Sequence, residues 1–321
     1  MTRLGYQIPN FTYPGIDAAG LFGELVTQAQ TAEAAGFDRL LLMDHFYQLP
    51  GIGDPDAFML ECYTALAGLA QHTETIGLSA LVTGNTYRNP AVLAKTITTL
   101  DVVSAGRATL GIGAGWFELE HDAFGIEFNT FTERFEKLEE ALQIIIPMLA
   151  DERPSFAGKH YNVVDAINSP APLSKIPVMI GGSGEKKTLR MVAQYADESN
   201  LICAVSEIPH KLDVLAQHCE KVGRDRSEIT VTRLVMGVLG RTMEEAQASI
   251  DAYAELHGWP VEATESLRPM MTIGDPDTFG EQVQEMIDAG LDGITMNLVT
   301  AAHDHELISM AGEVCNSIIP Q

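Results

Sequence analysis

Ile180-Gly181-Gly182-Ser183-Gly184-Glu185-Lys186-Lys187-Thr188-Leu189-Arg190 follows the apolar run that begins at Pro177 and opens an amphipathic run that ends near Tyr195. Apolar residues without alternation, closed by glycines, read as a strand buried on both faces, and the period that follows reads as a helix over 185–195. This is one strand-then-helix unit, and the same order recurs on either side of it.

Upstream, strands are expected over 3–9, 37–43, 75–82 and 107–112, and helices over 21–35, 57–71, 90–104 and 131–149. Gly36 and Gly106 serve as stops, and Pro90 sits in a first turn. Downstream, strands over 198–203, 228–237 and 293–298 alternate with helices over 207–222, 243–256, 276–289 and 304–318. Eight strand–helix units predict an α/β fold, a closed (β/α)8 TIM-type barrel rather than an open doubly wound sheet. The chain is expected to form a single domain over 1–321, with a loop-rich insertion at about 150–175.

Composition narrows the partners. The chain has 20 Lys+Arg against 44 Asp+Glu, a formal net charge of -24. Nucleic acid and anionic lipid both require clustered positive charge, so neither is an expected partner. Cys62, Cys203, Cys219 and Cys315 are far apart with no CxxC, which argues against a disulfide framework or zinc knuckle and fits a reduced, cytoplasmic setting. No signal-type leader and no apolar run of about 18 residues is present, so a soluble, unexported protein is expected.

A barrel gathers its strand ends at one mouth, where the chemistry belongs. Those ends offer Asn10 and Tyr13; Asp44, His45 and Tyr47; Thr83 and Asn85; Gly113, Gly115 and Trp116; Gly181–Gly184; Cys203; Met236; and Asn297. His45 is the candidate for proton transfer, because imidazole titrates near neutral pH, with Asp44 beside it. Gly111-Ile112-Gly113-Ala114-Gly115 is GxGxG without the further glycine of a dinucleotide fingerprint. At a strand end such glycines let a flat ligand approach the backbone. Glu118-Leu119-Glu120-His121 lacks HExxH spacing, so no metal site is expected, and no GxSxG points to a hydrolase. The turn over 181–187 has the ingredients of a phosphate site: glycines, a helix N-terminus, and Lys186, Lys187 and Arg190, whose charges oppose the helix dipole until an anion joins them.

Four stretches together resemble the luciferase-like monooxygenase superfamily, in its branch of coenzyme F420 (deazaflavin)-dependent oxidoreductases. They are Phe37-Asp38-Arg39-Leu40-Leu41-Leu42-Met43-Asp44-His45-Phe46; Thr86-Tyr87-Arg88-Asn89-Pro90-Ala91-Val92-Leu93-Ala94-Lys95; Thr99–Arg107 running into Gly111–Trp116; and Gly181–Arg190. The resemblance implies a barrel with an insertion, a flavin-like ring at the mouth, and a non-prolyl cis peptide at Ala80-Leu81 supporting it. It implies cofactor contacts from Ala80, Leu81, Ala114, Gly115, Gly181, Gly182, Ser183, Gly184, Glu185, Lys186, Lys187 and Arg190. His45 then acts as proton donor or acceptor and Asp44 orients it. The expected cofactor is F420, with FMN as the alternative. The expected function is hydride transfer to or from a small organic molecule; an FMN-dependent monooxygenase and a non-catalytic cofactor-binding protein are the alternatives. A homodimer is expected, through faces such as 62–69 and 91–97. One departure stands out: sugar-phosphate dehydrogenases of this branch carry a glutamate where this chain has Trp116, which points to an apolar or planar substrate.

Overall fold

The computed structural model describes residues 3–260, 265 and 267–319. Its first half runs β1 (Leu4–Ile8), α1 (Leu21–Ala34), β2 (Arg39–Leu42), α2 (Cys62–Ala70), β3 (Gly77–Ala80), β4 (Thr83–Gly84), α3 (Pro90–Val103), β5 (Ala108–Gly113), α4 (Glu118–Phe124) and α5 (Phe131–Leu149). After a small antiparallel pair, β6 (Phe156–Ala157) and β7 (Asn162–Val163), come β8 (Val178–Gly181), α6 (Thr188–Tyr195), β9 (Glu198–Leu201), α7 (Ile208–Val222), β10 (Thr230–Leu239), α8 (Met243–Leu256) and β11 (Met271–Gly274). A helix over Pro276–Asp288, β12 (Gly293–Leu298) and a helix over His305–Asn316 follow.

The parallel ladder runs β10-β12-β1-β2-β3-β5-β8-β9, and Thr230–Arg233 pairing with Glu198–Leu201 closes it into a ring of eight. The fold is therefore the (β/α)8 barrel. The eight ring strands are those expected from their apolar runs, each within a few residues. β11 was not foreseen. It pairs only with the far half of β10, Met236–Leu239, and with α8 covers a small separate cluster of Val238, Ala246, Ile250, Met271 and Ile273. β10 consequently runs to Leu239, so Met236 lies inside the strand and not at its end.

Helix starts follow local chemistry. Asn89 accepts from Ala91 N–H and Pro90 opens α3, while Thr130 and Glu133 form a reciprocal capping box on α5. Glu61 caps α2, so that helix begins at Cys62 instead of the expected Ala57. The insertion is fixed by buried acceptors. The Asp101 carboxylate takes Leu173 N–H and Ser174 Oγ–H, and Asn168 Nδ2 reaches Thr98 Oγ1 and Met148 O. Among the described residues no helix is long and apolar enough to cross a membrane.

The floor of the barrel carries a buried ion pair. Arg39 opens β2 and Glu198 opens β9, on strands separated in the ring by three others, and the guanidinium meets the carboxylate at 2.6 and 3.0 Å. Both are almost wholly buried, so removing one partner leaves a charge without compensation. Glu198→Ala is expected to lower unfolding free energy by about 3–5 kcal/mol, read by urea denaturation. A loss below about 1 kcal/mol would show that the pair does not hold the floor.

Candidate active site

The rim of the barrel is shaped first by a bulge. Ser79 pairs with Thr109 and Thr83 with Ile112, so four steps along β3–β4 match three along β5. The extra residue lifts the Ala80–Val82 segment out of regular pairing, as bulges beside active sites commonly do. A cis peptide lies here, between Leu81 and Val82, one residue beyond the expected Ala80-Leu81. The glycines facing it are sterically required: a Cβ on Gly111 would stand 2.1 Å from Ala80 O, and Cβ atoms on Gly113 and Gly181 would each come within 2.9 Å of Val82 methyl groups. Val82 thus packs at the rim against two of the strand-end glycines, although sequence reading passed over it. Ala114 and Gly115 continue from β5, with Gly115 at φ 79° and its carbonyl accepting from Arg134 Nε.

Asp44 and His45, side by side at the end of β2, have different partners. Asp44 is buried and receives Arg88 in a bidentate pair, at 2.7 and 3.0 Å, together with Gly84 N–H. Burial pushes its carboxyl up, and Arg88 opposes that. The expectation that Asp44 orients His45 is therefore corrected: the orienting carboxylate is Glu120, from α4. Its Oε2 lies 2.9 Å from His45 Nδ1 and accepts the Tyr87 hydroxyl, while its Oε1 accepts the backbone N–H groups of Phe46 and Tyr47. Glu120 is fully buried. Burial would raise it, but the bonds from His45, Tyr87 and Tyr47 outweigh burial and hold its carboxyl below the ordinary range. An ionised Glu120 accepts from Nδ1–H, which leaves Nε2 as the His45 nitrogen not engaged by Glu120. Trp116 and Phe117 stand edge-on to the imidazole, with centroids 5.6 and 5.7 Å away.

Tyr87 and Arg88 are thus clamps, reaching Glu120 and Asp44, and Thr86 Oγ1 meets His121 Nε2 at 2.7 Å. His121 Nδ1 in turn contacts Phe117 O, so the neighbours Glu120 and His121 serve separate networks. No cluster able to hold a metal ion is found among the described residues.

The turn after β8 is divided in its roles. Gly182 adopts φ 116°, open to glycine alone, and α6 starts at Thr188, not at Glu185, so Lys186 and Lys187 precede the helix. The backbone N–H groups of Ser183, Gly184, Glu185, Lys186 and Lys187 donate to no group among the described residues. Lys186 is exposed. Lys187 lies over the Phe131 and Phe135 rings, 5.2 and 5.3 Å from their centroids. Arg190 is paired in bidentate fashion with Glu139, and the Glu185 carboxylate holds Lys211. The structure therefore leaves these backbone N–H groups and Lys186 open and engages Arg190 and Glu185 elsewhere.

Comparison with known proteins gives the same family as the sequence motifs. The luciferase-like monooxygenase profile matches residues 2–293. The chain is 28% identical over 319 residues to an F420-dependent glucose-6-phosphate dehydrogenase of Microbacterium testaceum, covering 90% of this chain and 91% of that one. It is 31% identical over 235 residues to the pyrimidine monooxygenase RutA of Stutzerimonas stutzeri, covering 70% of this chain and 62% of that one. The coenzyme F420-dependent tetrahydromethanopterin reductase of Methanopyrus kandleri superposes with a TM-score of 0.78 at 18% identity, over 99% of both chains, and shares the fold.

Glu120→Gln is expected to cost about 1.5–3 kcal/mol at neutral pH, the range for hydrogen bonds to a buried charge. Because folding lowers the Glu120 pKa, its contribution is present above the unfolded value near about 4.3 and is lost as pH falls through the folded one. The stability gap between wild type and variant should therefore narrow below about pH 4. A gap independent of pH would contradict an ionised Glu120.

Proposed function

The chain belongs to the luciferase-like monooxygenase family, and we propose that within it the protein is a coenzyme F420-dependent oxidoreductase acting on a small organic substrate. The observation carrying this reading is the turn over 183–187, five backbone N–H groups without an acceptor among the described residues and exposed Lys186 beside them, on a chain of net charge -24. Such a turn suits a phosphate, and cations are scarce enough here that their placement beside it supports an acidic cofactor. The F420-dependent relative, aligned over most of both chains, supports the deazaflavin over FMN.

When bound, the deazaflavin supplies the carbon that gives or takes a hydride. The residues of the chain supply the rest. The turn over 182–187, with Lys186, holds phosphate. Leu81 and Val82 at the bulge, with Ala80, Ala114 and Gly115 around them, offer backbone against which a flat ring packs. His45 holds or accepts the substrate's proton at Nε2, and Glu120 keeps Nδ1 protonated and the imidazole fixed. Lys187 and Arg190 brace the turn through Phe131, Phe135 and Glu139. Asp44 with Arg88 anchors the end of β2.

The four free, buried cysteines support a cytoplasmic setting, and the acidic surface argues against nucleic acid or anionic membranes as partners. A homodimer is part of the same proposal. The apolar faces expected to serve it are partly spent inside, since Cys62, Leu66, Leu69, Leu93, Ala94 and Ile97 are core residues. What remains is a groove of about 900 Å³ between α2 and α3, bordered by Ala67, Ala91 and the exposed Val92.

F420 is expected to bind at least about tenfold more tightly than FMN, a difference of about 1.4 kcal/mol, in a fluorescence titration. Lys186→Ala with Lys187→Ala should weaken it and flatten its salt dependence. Equal or reversed affinities would favour the FMN monooxygenase reading. Light scattering should give twice the 34.8 kDa chain mass, and a single-chain mass at all concentrations would exclude the dimer.

A further inference from the structure

The turn over 183–187 carries its own competitor for an anion. Glu185 is the one carboxylate within Gly181–Arg190, and it sits in the middle of the five backbone N–H groups that meet no acceptor among the described residues. Gly184 and Lys186 are exposed, and Ser183, Glu185 and Lys187 are half-buried, so the turn faces solvent. A glutamate side chain reaches N–H groups up to three residues away along its own chain, as Glu133 does at the start of α5 by accepting from Thr130 N–H at 3.0 Å. Ser183, Gly184, Lys186 and Lys187 all lie within that spacing of Glu185. A carboxylate tethered there competes with a free phosphate as an intramolecular ligand, at an effective concentration on the order of millimolar.

The Glu185 side chain bonds to none of these amides, because α7 holds the residue at two levels. Its Oε1 accepts from Lys211 Nζ at 2.6 Å and from His210 Nε2 at 3.1 Å. Its backbone carbonyl accepts from His218 Nε2–H at 2.8 Å. Lys211 and His218 are seven residues apart, two turns on one face of α7. The Lys211 side chain is only 12% exposed, against 64% for His210, so Lys211 is the desolvated member of the cluster. The other carboxylate near Lys211, that of Glu207, is spent on Ala204 N–H. The bond from Lys211 holds the Glu185 carboxyl below its usual range. His218 thus fixes the backbone and Lys211 the charge. On the other flank Ser183 Oγ donates to Ile202 O and accepts from Ile202 N–H, each at 2.8 Å, so the turn is also held where β9 ends.

We propose that Lys211, assisted by His210, is a positioning residue for the anion turn: it keeps the Glu185 carboxylate off the amides of Ser183–Lys187 and so leaves them open to phosphate. The inference deepens the oxidoreductase reading and rests on it for the identity of the anion as a cofactor phosphate, whereas the latch itself requires only that the turn bind phosphate. An ion pair with one partner this exposed adds little to folding, so its loss is read in binding and not in stability.

The test follows F420 binding by fluorescence, and the amide resonances of Ser183–Lys187 by proton–nitrogen NMR in the ligand-free chain and on titration with inorganic phosphate. Lys211→Met, which keeps the stem and removes the charge, should shift those amides before any ligand is added and weaken phosphate and F420 by about fivefold or more. Lys211→Gln serves as a second neutral variant should Lys211→Met not fold. Lys211→Arg, which still pairs with a carboxylate, should stay within about twofold of wild type. In a Glu185→Gln background, Lys211→Met should change affinity by less than about twofold and leave the free amides in place, because the competitor is gone. Equal weakening in both backgrounds would put Lys211 on the anion itself and overturn the latch, as would neutral Lys211 variants that bind like wild type. If phosphate binding and the amide shifts follow this pattern and F420 does not bind, the cofactor reading fails and the latch stands. If F420 binds and the two substitutions do not couple, the latch fails and the cofactor reading stands; a turn that binds neither phosphate nor F420 overturns both.

Discussion

Closure of the β9–β10 seam is the constraint on which the molecule depends. Parallel strands need crossover connections, and when the ring of eight closes every connection of one kind emerges on the same rim. Thr230–Arg233 pair with Glu198–Leu201 at the β9–β10 seam, and Leu4–Tyr6 pair with Ile294–Met296 where the first ring strand meets the last. At the opposite end, Glu198 reaches across to Arg39, so the floor is locked by charge while the rim is left to loops. A barrel fixed at one end and variable at the other suits a site whose reacting groups come from distant parts of the chain.

The rim achieves its own rigidity through a few long-range clamps. Glu120 joins α4 to the end of β2 and to Tyr87, and Arg88, next in sequence, joins the same region to Asp44. Each clamp satisfies a buried charge with several donors, so loss of any one would expose another group to desolvation without compensation. The imidazole of His45 is thereby held from one side, and the bulge at Ala80–Val82 is held from the other by glycines that admit no side chain. Acid–base chemistry and a flat ligand both require such fixed supports.

The ring strands were legible because each is a continuous apolar run between stops, a signal carried by neighbouring residues. β11 escaped because its four residues add to one half of β10 outside the closed ring, which no local pattern records. His45 was legible as a strand-end histidine, but its partner was not: Glu120 lies 75 residues away among 44 acidic residues, and Asp44, adjacent in sequence, belongs to Arg88 at a separation of 44. Proximity in sequence misassigned the carboxylate, because successive residues at a strand end point to different surroundings. The Thr86-Tyr87-Arg88-Asn89 stretch, met first as a motif, proves to be four side chains with four separate jobs. In the 181–190 segment Gly182 takes the positive φ that a glycine turn allows, whereas Arg190 and Glu185 found partners in α5 and α7 that sequence spacing does not reveal.

The central claim is that one rim assembles a deazaflavin site from the bulge after β3, the turn after β8 and a Glu120-held His45. A crystal structure of the chain with F420 tests it most directly. The account predicts phosphate on the backbone amides of Ser183–Lys187, the ring against Leu81-Val82, and the His45–Glu120 contact intact. Phosphate bound elsewhere, with the turn over 183–187 left free, or His45 turned to a different carboxylate, would contradict it.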